Sequence, residues 1–166
     1  MGMEALRGVA ESVLADLRTK YDLAWRIYPV GLVVPNDPEA KEVKDSVRVA
    51  EGIPFLILAW AWASTRFYDA HRIRAALRIK ERTFLDDPRL LGAIGGNQTE
   101  GSDLIYVPPA ILPCGAEIEV TATAVLAPDP AETYPGPTID STIDFCFHGV
   151  DLLPKGAMGD TTPARE

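Results

Sequence analysis

Cys146 and His148 stand two residues apart in STIDFCFHGV, a spacing that sets both side chains on one face of a β-strand. A thiol beside an imidazole is the beginning of a nucleophilic site, because the base can take the thiol proton and leave a thiolate. Such a site also needs a third group to orient the imidazole, and none is recognisable around this pair. Ser64, Ser102 and Ser141 lie outside any GxSxG elbow. The histidines number two, His71 and His148, and each is solitary. A metal centre of the cupin kind draws several imidazoles and a carboxylate onto one ion, so it has no ligand set here. The glycine-rich GAIGGNQTEG lacks the lysine and hydroxyl that close a phosphate-binding loop. Asp86, Asp87, Asp129, Asp140 and Asp144 carry the oxygens that calcium takes, but without EF-hand spacing they read as turn and cap residues. The sequence predicts no catalytic residue, no cofactor and no metal ion.

The other chemistry to weigh is that of surfaces. RIRAALRIK, residues 72–80, alternates cleanly: Ile73, Ala75, Leu77 and Ile79 point one way and Arg72, Arg74, Arg78 and Lys80 the other. In a chain of net charge -8, Arg74, Arg78 and Lys80 read either as a socket for an acidic partner or as a solvated face paired across strands with Glu117 and Glu119. Tyr134, inside the proline-rich APDPAETYPGPTID, has the form of an exposed aromatic anchor. Residues 3–19 place Leu6, Val9, Ala10, Val13, Leu14 and Leu17 at steps of three and four, the pattern of an amphipathic helix. Gly8 weakens it by about 1 kcal/mol relative to alanine, so the helix needs a surface to lie on, its own domain or a neighbour. Leu6, Val13 and Leu17 are its expected docking residues.

These residues must be positioned by β-structure. From Leu23 onward the period changes to two and the punctuation becomes proline and glycine. The segment 21–46 reads as an arm and loop, 47–153 as a sandwich and 154–166 as a polar tail. In IPFLILAWAW, Leu56, Leu58, Trp60 and Trp62 fall on one side and Phe55, Ile57, Ala59 and Ala61 on the other, so both faces are expected to be covered. Thr83 to Gln98 reads as turn-rich. Pro108, Pro109 and Pro113 cannot donate to a ladder, which sends their segment to a sheet edge or a crossing between sheets. The closing strand is expected to end at Gly149, with Ile143, Phe145 and Phe147 inward. Seven or eight short strands without βαβ alternation predict an all-β, jelly-roll-type antiparallel sandwich preceded by one helix.

Length and composition agree with a folded domain: 166 residues bury a sizeable core, and 47% hydrophobic with 24% charged residues is ordinary for globular proteins. The acidic balance argues against a nucleic-acid groove, which needs a basic stripe. The longest apolar run, residues 53–64, is too short to span a bilayer, and the charged amino terminus lacks the uninterrupted apolar stretch of a secretory signal. Cys114 and Cys146 read as free thiols, bridged only if the fold sets the 114 turn against the last strand.

IPFLILAWAW, RIRAALRIK and the closing VPPAILPCGAEIEVTATAV … STIDFCFHGV together resemble the jelly-roll structural proteins of bacterial viruses, over residues 47 to 152. The resemblance implies a capsid, cement, vertex or connector component located in the virion, bound to copies of itself or to other virion proteins and acting through assembly contacts. The rival expectation is a carbohydrate-binding or receptor-binding sandwich, with Tyr134 or Trp25 stacked on a sugar.

Overall fold

The computed structural model describes residues 3–35, 42–64, 72–79, 82–94, 104–125 and 140–158, with backbone alone for residues 3 and 82–88. Its elements in chain order are α1 (Met3–Leu17), β1 (Tyr21–Val34), β2 (Val43–Arg48), β3 (Phe55–Ser64), β4 (Ile73–Ile79), β5 (Arg82–Leu90), α2 (Leu91–Ile94), β6 (Ile105–Leu112), β7 (Glu117–Ala124) and β8 (Ser141–Pro154). Strands from the first half of the chain pair antiparallel with their mirror partners from the second: β1 with β8, β2 with β7, β3 with β6, β4 with β5. Wrapping that long ladder on itself adds the β3–β8 and β4–β7 pairs. The product is two four-stranded sheets, β1-β8-β3-β6 and β2-β7-β4-β5, which is jelly-roll winding.

The core lies between the sheets. Phe55, Ile57, Trp60 and Trp62 of β3, Ile143, Phe145 and Phe147 of β8 and Tyr28, Val30, Leu32 and Val34 of β1 meet Ile73, Ala75, Leu77 and Ile79 of β4 and Ile118, Val120 and Ala122 of β7. The alternation read in β4, β7 and β8 is the one observed. In β3 it is not, because the register against β8 shifts between Ile57 and Ala59. That bulge inserts one residue, Leu58, and everything after it changes face. Trp60 and Trp62 therefore join Phe55 and Ile57 in the core, where Trp60 lies nearly parallel to Phe145 with centroids 6.2 Å apart. Leu56 and Leu58 turn to the outer face.

That outer face is where α1 lies. Ala10, Leu14 and Leu17 pack on Leu56, Leu58, Val150 and Leu152, with Val13, Tyr21, Leu23 and Tyr106 around them. A 15-residue helix is marginal alone, and this buried stripe is what holds it. Burial of Leu14 or Leu17 contributes about 1.5–3 kcal/mol each on transfer scales.

Other boundaries also differ from expectation. Residues 21–34, expected as an extended arm or strand outside the sandwich, form a 14-residue edge strand within it, since β8 is long enough to pair it throughout. β2 begins at Val43, inside the stretch 36–46 expected as a loop or a short helix, and runs into the strand expected from Val47; residues 82–90 form β5 despite Asp86, Asp87 and Pro88, antiparallel to β4 at an edge where a proline costs little. β6, with Pro108 and Pro109, is the other edge of its sheet. β8 continues through Gly149 to Pro154. Gly149 is a packing requirement: a side chain there would meet the Leu56 carbonyl oxygen and the Phe55 ring. The helix-free turn before β7 carries Gly115 at φ 70, which its lack of a Cβ permits.

Candidate functional site

β8 is a central strand of its sheet, and Asp144, Cys146 and His148 project from its outer face. Their cross-strand neighbours are Gly31, Pro29 and Ile27 on β1 and Ala63, Ala61 and Ala59 on β3. None of these supplies a group to orient the imidazole. Burial, with the Asp144 charge second, pushes the Cys146 thiol above its ordinary 9.0, and burial pulls His148 below its ordinary 6.5. Both shifts favour the neutral forms, the reverse of a thiolate–imidazolium pair. Cys114 and Cys146 are free, one exposed and one half-buried. Among the described residues no three histidine, cysteine or acidic side chains converge on a metal position. His71, Asp129 and the side chains of Asp86 and Asp87 lie outside the described residues.

The expected interaction residues fall in three places. Val13 and Leu17 are spent on the chain's own sheet, while Leu6 is half-buried near the start of α1. Arg74 and Arg78 are exposed on the outer face of the second sheet. Arg78 stands directly opposite Glu119, whose carboxylate lies 3.9 Å from Lys44, and Arg48 stands opposite Glu117. An acidic column from β7 thus runs between basic columns from β2 and β4, so the face is of mixed charge. Lys80 and Tyr134 lie outside the described residues.

β1 carries a further exposed group, of which the sequence reading singled out Trp25, as a sugar-stacking candidate, and neither Ile27 nor Val33. Trp25, Ile27 and Val33 point from the outer face of this edge strand and are 70%, 53% and 57% exposed. They share that face with Pro29 and Gly31, so the strand shows solvent a continuous apolar row. A large aromatic left mostly in water is the informative kind of exposure. The signal is present in LAWRIYPVGLVV, where apolar residues occupy both parities: one set fills the core, and of the other Leu23 packs in the cluster under α1 while Trp25, Ile27 and Val33 stay exposed. Pro29 also removes a backbone donor from the middle of the strand, and at an edge strand the missing donor belongs on the free side. A partner would meet this strand through its face more readily than by extending the sheet.

On the inner side of the same strand, Arg26 Nε donates to Asp151 Oδ2 at 3.0 Å and its guanidinium sits 5.9 Å from the Tyr28 ring centroid. Asp151 is buried, and its other oxygen, Oδ1, has no hydrogen-bond partner among the described residues. The Asp151 carboxylate holds the Arg26 guanidinium above its ordinary range. This pair fixes the register at the Trp25 end of β1 and so orients the exposed row.

The sequence matches no protein-family model and no curated protein. Among solved structures, 81% of the chain is similar to a chain from the structure of infectious bursal disease virus Gt strain, at 11% identity and a TM-score of 0.30. A second similarity is to dimeric latent PorU from Porphyromonas gingivalis, over 80% of this chain, at 11% identity and a TM-score of 0.27. The chain spans 43% and 13% of those two chains. Likenesses this loose fix no relationship.

Proposed function

We propose that this protein is a virion structural subunit that associates with copies of itself through the outer face of β1. The observation that carries the reading is the row Trp25, Ile27 and Val33, three large apolar side chains more than half exposed on one edge strand. Interfaces concentrate their energy in such aromatic anchors, surrounded by contacts that exclude water. The jelly-roll winding supports the structural role in kind, because capsid and lectin domains share it. Bacterial-virus origin rests on the sequence resemblance alone. The reading is of a non-enzymatic protein, in keeping with the neutral Cys146–His148 pair. Amide hydrogen exchange measured at low and high protein concentration tests it: residues 23–33 gain protection as concentration rises, and unchanged exchange there would refute the β1 interface.

The exposed Trp25 indole also suits a second reading, a glycan-binding module in which the ring stacks on a sugar. Trp60 and Trp62 are 6% and 1% exposed, so a soluble quencher reports on Trp25. Saturable protection of that fluorescence by an oligosaccharide, with no self-association, would favour this reading over assembly.

A further inference from the structure

Proline lacks the amide proton that a β-ladder needs, and Pro108 and Pro109 fall consecutively in β6. The pairing with β3 records the effect. Ile57 faces Ala110 and Ala59 faces Tyr106, so β3 advances through Leu58 alone while β6 passes Val107, Pro108 and Pro109. The edge strand bows away from its neighbour over those residues. Behind the bow, between the sheets, is a cavity of about 130 Å³, partly open to solvent. Its walls are Ile57, Trp60 and Phe147 from one sheet and Leu77 and Ile79 from the other, and Val107 and Pro108 stand where the edge strand bows.

We infer that this cavity is a binding site for a small, uncharged, apolar molecule. An enclosed apolar cavity of similar size takes a ligand as large as benzene, and this space is likewise apolar while opening in part to solvent. Among the described residues no charged side chain lines the space, to which Tyr106 also contributes, so an ionic group would enter without a partner from these residues and at heavy desolvation cost. The bow in β6 provides the route, because an edge strand with two missing donors opens without breaking ladder bonds. The inference is independent of the assembly reading, since the cavity and the β1 row lie on opposite edge strands of one sheet.

The test is thermal unfolding of the full chain with benzene, and with sodium benzoate as its charged counterpart. At tenfold the dissociation constant, benzene should raise Tm by roughly 3 to 6 °C, and benzoate should leave it unchanged. Leu77→Phe fills the space and should abolish the benzene effect. Intermolecular NOEs from benzene to the methyl groups of Ile57, Leu77, Ile79 and Val107 locate the ligand in the natural chain whether or not the variant folds. No rise in Tm at the solubility limit of benzene, an equal rise in Leu77→Phe, or NOEs confined to other residues would each overturn the assignment.

Discussion

Gly149→Ala is the substitution that the packing most directly forbids. A Cβ at this position would fall inside contact distance of the Leu56 carbonyl oxygen and within 2.6 and 2.8 Å of two Phe55 ring carbons. The carbonyl belongs to β3, a central strand paired on both sides, and Phe55 is fully buried, so neither neighbour has free space to yield into. Overpacking a core by one methyl costs about 1–3 kcal/mol, and a clash with backbone belongs at the upper end or beyond. For a domain of this size, 3 kcal/mol is a fall in Tm of roughly 6 to 12 °C. Gly8→Ala is the matched control, because Gly8 has nothing within 4 Å and sits inside α1. The same added methyl should there raise stability by about 0.5–1 kcal/mol. Equilibrium denaturation of both variants, followed by far-UV circular dichroism and tryptophan fluorescence, reads the two changes. A Gly149→Ala protein within 1 kcal/mol of the natural chain would refute the β3–β8 packing derived above.

Three further outcomes follow from the same geometry. Exposed Cys114 should react promptly with a disulfide reagent at neutral pH, while Cys146, half-buried and with its thiol held above 9.0, should react at least tenfold more slowly; equal rates in single-cysteine variants would contradict this. His148 titrates below 6.5 in the folded chain, so the unfolded chain takes up its proton first and stability drops as pH falls through about 6.5. His148→Gln should flatten the profile between pH 7.5 and 5, measured as denaturation midpoints, and a profile identical to the natural chain's would remove burial as the cause. Arg26→Met leaves buried Asp151 without its cation and should lower the midpoint, and adding Asp151→Asn should restore part of the loss; a double variant less stable than Arg26→Met would show that the pair is not coupled as described.

The fold was legible where one face of a strand is buried and the other is not. Arg74 and Arg78 flanking an apolar set made β4 unambiguous, and the prolines of 108–113 narrowed their segment to a sheet edge or a crossing between sheets, of which the edge is observed for β6. Two features were hidden for a physical reason. The bulge at Leu58 is decided by how β3 meets β8, and no local residue announces it, so the period of two groups the tryptophans with Leu56 and Leu58 instead of with Phe55 and Ile57. α1 was visible as a helix, but its landing place became apparent only once Leu56, Leu58, Val150 and Leu152 were seen to share an outer face. Of the candidate site, the Cys146–His148 pair was correctly set on one outward face and Trp25 was singled out as an aromatic for stacking, whereas Ile27 and Val33 were obscured by a strand that is apolar on both parities. The cavity was illegible, because a void depends on volumes across two sheets, although the prolines that open it were in plain view.

Self-association through β1 is tested most directly by sedimentation velocity over a hundredfold range of concentration. The natural chain and Trp25→Ser/Ile27→Thr are compared, since both substituted side chains face solvent and the sandwich core is left intact. Deleting α1 would be a poor substitute, because it would uncover Leu56 and Leu58 and create a new sticky face. The natural chain should form discrete oligomers that grow with concentration, and the double variant should be a monomer of unchanged Tm. A natural chain that stays monomeric throughout, or a double variant that assembles equally well, would contradict the β1 interface.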